Sequence, residues 1–231
     1  MLDEMRDADE PTAPPASLLE RLRADPVRAP EHLALAAADQ FGAPAAAWAH
    51  RQRNVMGKHP VELGEMARKR HVNLASAEGA AAGVGGMVTL VPDLIALAWL
   101  QARMVFYVAG AYGWDPRDPM RPAELLALTR LYSDPAGARA ALDGVGRTVA
   151  EHYVGSKFQR DEALATRMLK MVGKGGAKKV AGKLIPGFAI AFSAVSNRRD
   201  MNELGKRATG FYGGTVAPMY RHAFTQGQLP R

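Results

Sequence analysis

Apolar residues recur along this chain at helical spacing, and nowhere do apolar and polar residues alternate between hairpin turns. The pattern predicts an all-α protein, and prolines and glycines mark its boundaries. Pro26 and Pro30 each break the chain, with a short helix expected before them over residues 17–23. A longer helix is expected from Glu31, interrupted near Gly42-Ala43-Pro44 and resuming through Trp48 to about Arg53, with a turn from Gly57 to Pro60. From Val61 the pattern is helical with a charged first half, in which Glu65 and Lys69 form an i,i+4 pair. From Leu74 that helix is nearly free of charge apart from Glu78. Pro92 and Asp93 open a second apolar helix, with Asp93 as its N-cap and Gly113 as the cap at its far end.

The rest of the chain carries the same signals. Residues 114–119 read as a turn, a helix follows from Arg121 to about Tyr132, and Ser133-Asp134-Pro135 caps the next, glycine-weakened one. An amphipathic helix is expected over 161–172, with Leu164, Met168, Leu169 and Met171 on its apolar side. After the glycines at 173–176 comes a basic amphipathic stretch carrying Lys174, Lys178, Lys179 and Lys183. A second apolar run, 188–195, leads into a charged helical half and ends at Gly213-Gly214.

The fold expected is a single bundle-like helical domain over residues 31–215, with two glycine-rich apolar segments at its core. A disordered, acidic, Pro-rich head (1–30) precedes it and a loosely ordered tail (216–231) follows. Hydrophobic residues make up 48% of the chain but aromatics only 7%, so alanine and glycine supply much of the apolar fraction. That favours close helix–helix contact over a bulky core. Ala75, Gly79 and Gly83 form a small-residue stripe at i,i+4 spacing, and with Gly85 and Gly86 they mark a tight crossing.

Residues 79–100 would extend roughly 33 Å as one helix, about the thickness of a bilayer core. Pro92 and Asp93 divide the stretch, so it reads as a core hairpin of a soluble bundle ahead of a shallow membrane-inserting one.

Charge sharpens the picture. The net charge is +7, but residues 1–25 carry seven acids against three arginines, and residues 164–231 carry twelve basic residues against two acids. Such a basic third suits an anionic membrane surface, an acidic partner or nucleic acid. Nucleic acid is disfavoured because aromatics are not interleaved with the basic residues. Lys174, Lys178, Lys179 and Lys183 are the membrane-facing candidates. The chain has no cysteine, which excludes disulfides and thiolate metal sites. With no basic-then-apolar leader at Met1, the expected address is the cytoplasm, peripheral to the inner face of the membrane.

Catalytic signals are lacking. His71 and Glu78 share a helix face about 10 Å apart, too far to hold one metal unaided, and no His-Glu-x-x-His motif occurs. A P-loop ending at Gly182-Lys183 would need glycine at 177 and Ser or Thr at 184, where the chain has Ala177 and Leu184. No catalytic residue, metal or cofactor is predicted, and an enzyme reading has no positive support. Polar residues inside the apolar helices remain as ligand or polar-cluster candidates: His71, Glu78, Asp93, Gln101, Arg103 and, further on, Asn197. Glu78, Asp93 and Arg103 are expected to cluster where the two helices cross, the arginine satisfying acids that are costly to bury alone.

Two blocks of sequence carry a family resemblance. The first contains Arg68-Lys69-Arg70-His71-Val72-Asn73-Leu74-Ala75-Ser76-Ala77-Glu78-Gly79, then Pro92-Asp93-Leu94, Gln101-Ala102-Arg103-Met104 and Gly110-Ala111-Tyr112-Gly113-Trp114-Asp115-Pro116. The second contains Lys183-Leu184-Ile185-Pro186-Gly187-Phe188, Asn197, Leu204-Gly205 and Phe211-Tyr212. Together they resemble the EcsC family of bacterial proteins over roughly residues 62–212. The resemblance implies no particular reaction. It implies a loose link to membrane-associated processes, because the family's namesake is encoded beside an ABC transporter. The functional expectation is a peripheral module that docks on an anionic membrane or a membrane protein, with binding of a lipid-like ligand as the alternative. An enzyme with a site around Glu78, Asp93 and Arg103 is a weaker third. The oligomeric state is left open.

Overall fold

A computed structural model describes residues 13–82, 90–145, 167–168, 170–171 and 188–214, with the side chains of 76–82, 90–92, 145 and 188–197 outside that description. Seven α-helices are described: α1 (Ala16–Ala24), α2 (Ala29–His50), α3 (Pro60–Ala82), α4 (Leu90–Ala111), α5 (Arg121–Leu128), α6 (Pro135–Val145) and α7 (Phe188–Tyr212). A 3-10 turn, Pro26–Arg28, joins α1 to α2, and a π-helical turn, Arg51–Val55, follows α2. Among the described residues there is no strand, and the protein is all-α.

The centre of the molecule is α4, whose described side chains from Leu94 to Ala111 are buried almost without exception. Its composition explains this, since Asp93 and Arg103 are its charged residues. α2, α3 and α7 pack around it, while α1 packs on α2 and α6 packs on α5 and α2. Large side chains interlock along these seams, with the rings of Phe41 and Trp99 4.7 Å apart and those of Trp48 and Tyr107 5.3 Å apart. By length and composition alone Asp93–Ala111 is apolar enough to span a bilayer, yet 94% of that stretch is buried within the fold. Its apolar surface is covered by partner helices.

Several boundaries differ from the sequence expectation. The short helix expected over 17–23 is α1, and since its Leu18 and Leu22 are wholly buried in the core, the head expected over 1–30 is ordered from Ala16. No break occurs at Gly42-Ala43-Pro44; α2 runs through Pro44, with Phe41, Ala45, Trp48 and Ala49 buried on either side of it. Burial of that apolar face outweighs the hydrogen bond that a proline removes from a helix interior. Asp93 is not an N-cap, since α4 already begins at Leu90 and places Asp93 in its first turn, where a carboxylate favours the positive end of the helix dipole. Glu65 pairs with Arg68, at 2.6 Å, rather than with Lys69.

Other boundaries fall where expected. Gly113 follows α4 with φ of 92°, a conformation open to glycine. The backbone N–H of Gly137 donates to the Asp134 carboxylate at 2.8 Å, capping α6. Arg167, Met168, Lys170 and Met171 are helical, with Met168 and Met171 buried, in keeping with the amphipathic reading of 161–172.

Candidate functional site

His71 lies in mid-α3 and is buried, at 1% exposure. Its Nδ1–H donates to the Ala67 carbonyl at 2.8 Å, which leaves Nε2 as the unprotonated nitrogen, facing the protein interior without a hydrogen-bond partner. Burial pushes its pKa down to about 3, aided by the positive charges of Arg103 and Arg70 and opposed by the Ala67 hydrogen bond. The imidazole is therefore neutral at physiological pH. It packs on Tyr107 with ring centres 5.4 Å apart.

Arg103 shares that neighbourhood. It is buried, and its guanidinium carbon lies 5.9 Å from the Phe41 ring centre and 5.5 Å from that of Tyr107. Gln101 is also buried, with no hydrogen-bond partner at its Oε1. Asp93 and Arg103 stand ten residues apart on one helix, about 15 Å along its axis, so α4 by itself does not bring them together. The side chains of Glu78 and Asn197, and Gly79, Gly83, Gly85 and Gly86 as a packing stripe, lie outside the described residues. So do Lys174, Lys178, Lys179 and Lys183. Among the described residues, no group of three His, Asp or Glu is placed to hold a metal ion.

A buried ion-pair cluster that the sequence reading missed ties α5 to the end of α7. Arg121 and Glu124 are buried and bonded to each other, and the Tyr212 hydroxyl donates to Glu124 at 2.8 Å. The Arg121 guanidinium carbon lies 5.2 Å from the Trp114 ring centre and 5.6 Å from that of Tyr212. Trp114 completes the knot by donating Nε1–H to the Tyr212 carbonyl at 3.0 Å. Burial raises the Glu124 pKa and raises that of Tyr212 well above its ordinary value. The Arg121-Pro122-Ala123-Glu124 spacing was visible in the sequence, but its partner is 88 residues away.

The surface feature with the most chemical character is a groove of about 600 Å³ between α3 and α7. It is lined by Arg68, Lys69, Val72 and Asn73 of α3 and by Arg198, Arg199 and Asn202 of α7. Lys69, Arg198 and Arg199 are exposed. Arg68 is held from both sides: it donates to Glu65 at 2.6 and 3.2 Å, and its Nη1 donates to the Asn202 side-chain carbonyl. Its stem crosses α7 at Gly205, where an added Cβ would come within 2.6 Å of the Arg68 Cγ. Among the described residues, four cations and no carboxylate line the groove. The sequence reading noticed the charged halves of both helices, but not that they lie side by side.

The comparisons with known proteins bear on this region. Residues 50–213 match the EcsC protein family, a span that takes in both walls of the groove and the His71–Arg103 neighbourhood. A relative from Bacillus subtilis (strain 168), the uncharacterized protein YdbA, is 27% identical over 157 residues, or 65% of this chain. The match spans 56% of that relative's length. No solved structure matches the chain.

Proposed function

The chain belongs to the EcsC protein family, and on that footing we propose that it is a peripheral membrane-binding module that docks on an anionic bilayer at the inner face of the membrane. The observation that carries this reading is the level at which α3 and α7 change character. The two helices run antiparallel, since Arg68 meets Asn202 and Gly205 while Asn73 faces the groove beside Arg198 and Arg199. Beyond the groove both sequences turn apolar. Glu78 is the one charged residue from Leu74 to Val91, and residues 188–196 have none.

The lengths suit a shallow insertion. Ala82 is nine residues past Asn73 and Phe188 ten residues before Arg198, about 13–15 Å of helix in each case. That is half of a hydrocarbon core of about 30 Å, the depth of one leaflet. Glu78 stands about 7.5 Å beyond Asn73, near the middle of such an insertion, so the insertion carries one carboxyl group. The cationic groove then falls at the head groups, where each basic residue near an anionic surface contributes about 1 kcal/mol. Lys174, Lys178, Lys179 and Lys183 add to the same attraction. Among the described residues Val72 is the one apolar residue lining the groove, so it favours an anionic surface over the alternative reading of a soluble binder of a lipid-like hydrophobic ligand.

Vesicle flotation tests the proposal. The full chain is expected to float with vesicles of phosphatidylcholine and phosphatidylglycerol and to stay behind with phosphatidylcholine alone. Reversing the charge of Lys174, Lys178, Lys179 and Lys183 is expected to weaken the first association. A chain that stays at the bottom of the gradient with both compositions contradicts the reading.

A further inference from the structure

We propose that the groove between α3 and α7 is a specific site for the phosphomonoester head group of a membrane lipid, a phosphatidic-acid-type ligand. This deepens the membrane reading and rests on it, but adds a stereochemical claim that general attraction to a charged surface does not make.

The groove has the composition of a phosphate site. Arg198 and Arg199 bring planar forked donors that match phosphate oxygens in pairs, Lys69 supplies a point charge, and Arg68, whose forked edge is taken by Glu65, adds its charge beside them. Its cations come from two helices and converge on one space, an arrangement whose mutual repulsion an anion relieves. Arg68 is already oriented by Glu65 and Asn202, so it loses little freedom when a ligand arrives. Asn202 accepts from Arg68 through Oδ1, which leaves its amide N–H donors for a ligand, and Asn73 adds a neutral side chain with the same donors.

Charge selects the ligand class. The Glu65 carboxylate is set against Arg68 and also attracts Lys69, and Glu203 attracts Arg199, so the positive charges that the groove offers a ligand are those of Lys69, Arg198 and Arg199, partly offset. A phosphodiester offsets one of these, while a phosphomonoester carries about −1.5 to −2 near neutral pH. A volume of about 600 Å³ is ample for a phosphate with its glycerol, since small-ligand sites run from about 300 to 1,000 Å³. The lipid source, rather than free phosphate, follows from position: the groove sits where both helices turn apolar, so a head group held there leaves its acyl chains beside the apolar helix ends.

The test measures binding of the full chain to phosphatidylcholine vesicles carrying phosphatidic acid or phosphatidylglycerol, matched for surface charge. Wild type is compared with the groove double variant Arg198→Glu/Arg199→Glu and the milder Arg198→Gln/Arg199→Gln. A charge-matched control, Arg21→Glu/Arg23→Glu, changes exposed residues of α1. Helical circular dichroism checks that each variant is folded.

Wild type is expected to prefer phosphatidic acid about tenfold. Both groove variants are expected to lose that preference, the α1 control to keep it, and excess glycerol 3-phosphate to displace the protein. Equal affinity for the two charge-matched lipids overturns the head-group site while leaving the membrane reading intact. Equal loss in the groove and α1 variants does the same. Binding of glycerol 3-phosphate or inorganic phosphate at the groove without binding to any vesicle overturns the lipid assignment and the membrane reading together.

Discussion

His71 has a buried, neutral imidazole in the middle of a long helix, and its energetics depend on pH in one direction. Its folded-state pKa of about 3 lies below the ordinary value of 6.5, so the unfolded chain takes up the proton first as pH falls. Its contribution is fully present above pH 6.5 and is lost as the pH drops towards 3. Across that window the slope approaches about 1.4 kcal/mol per pH unit. Denaturant unfolding at pH 7 and pH 5 is the check. The wild type is expected to lose stability over that interval, and the difference between it and His71→Asn to shrink by about 2 kcal/mol. An unchanged difference between the two proteins would place the titrating group elsewhere.

At the scale of elements, the fold was legible wherever a local signal decided the outcome. Asp134 before Pro135, Gly113 after α4 and the glycines after Tyr212 are boundaries that the backbone itself requires. Pro44 and Asp93 were misread because tertiary burial and an earlier helix start decided them, and neither leaves a local trace. The short helix that carries Leu18 and Leu22 was legible over 17–23, but its burial was not, because that depends on the core it reaches. Contacts between distant elements were the least legible. Glu124 gives no sign in sequence that it will meet Tyr212, nor Arg68 that it will meet Asn202, 134 residues away.

The α5–α7 junction makes its own prediction. Glu124→Ala leaves the buried Arg121 guanidinium with only the longer, exposed contact to Asp118 at 3.5 Å, which is expected to cost about 3 kcal/mol. Replacing both partners, as Arg121→Met/Glu124→Leu, is expected to recover much of that loss, because it removes both charges from the interior. Chemical denaturation of the single and double variants measures this. A double variant no more stable than the single would show that the lost Tyr212–Glu124 hydrogen bond between α7 and α5, and not the weakened pairing of Arg121, accounts for the cost.

The molecule joins a buried central helix to a cationic groove beyond which the sequences of α3 and α7 are poor in charge. α4 fills the core, and α3 and α7 carry the cationic groove before continuing into charge-poor sequence. A net charge of +7, concentrated in the C-terminal third, works in the same sense as the groove. Such attraction depends on ionic strength, because screening shortens from about 10 Å at 0.1 M salt to about 3 Å at 1 M. Membrane docking is therefore to be tested by fractionation of bacteria expressing the full chain, with the membrane pellet washed first at low salt and then at high salt. The protein is expected to sediment with membranes at low salt and to be released in substantial part at high salt. Recovery in the soluble fraction already at low salt would contradict it, as would a membrane pool that resists both high salt and alkaline extraction.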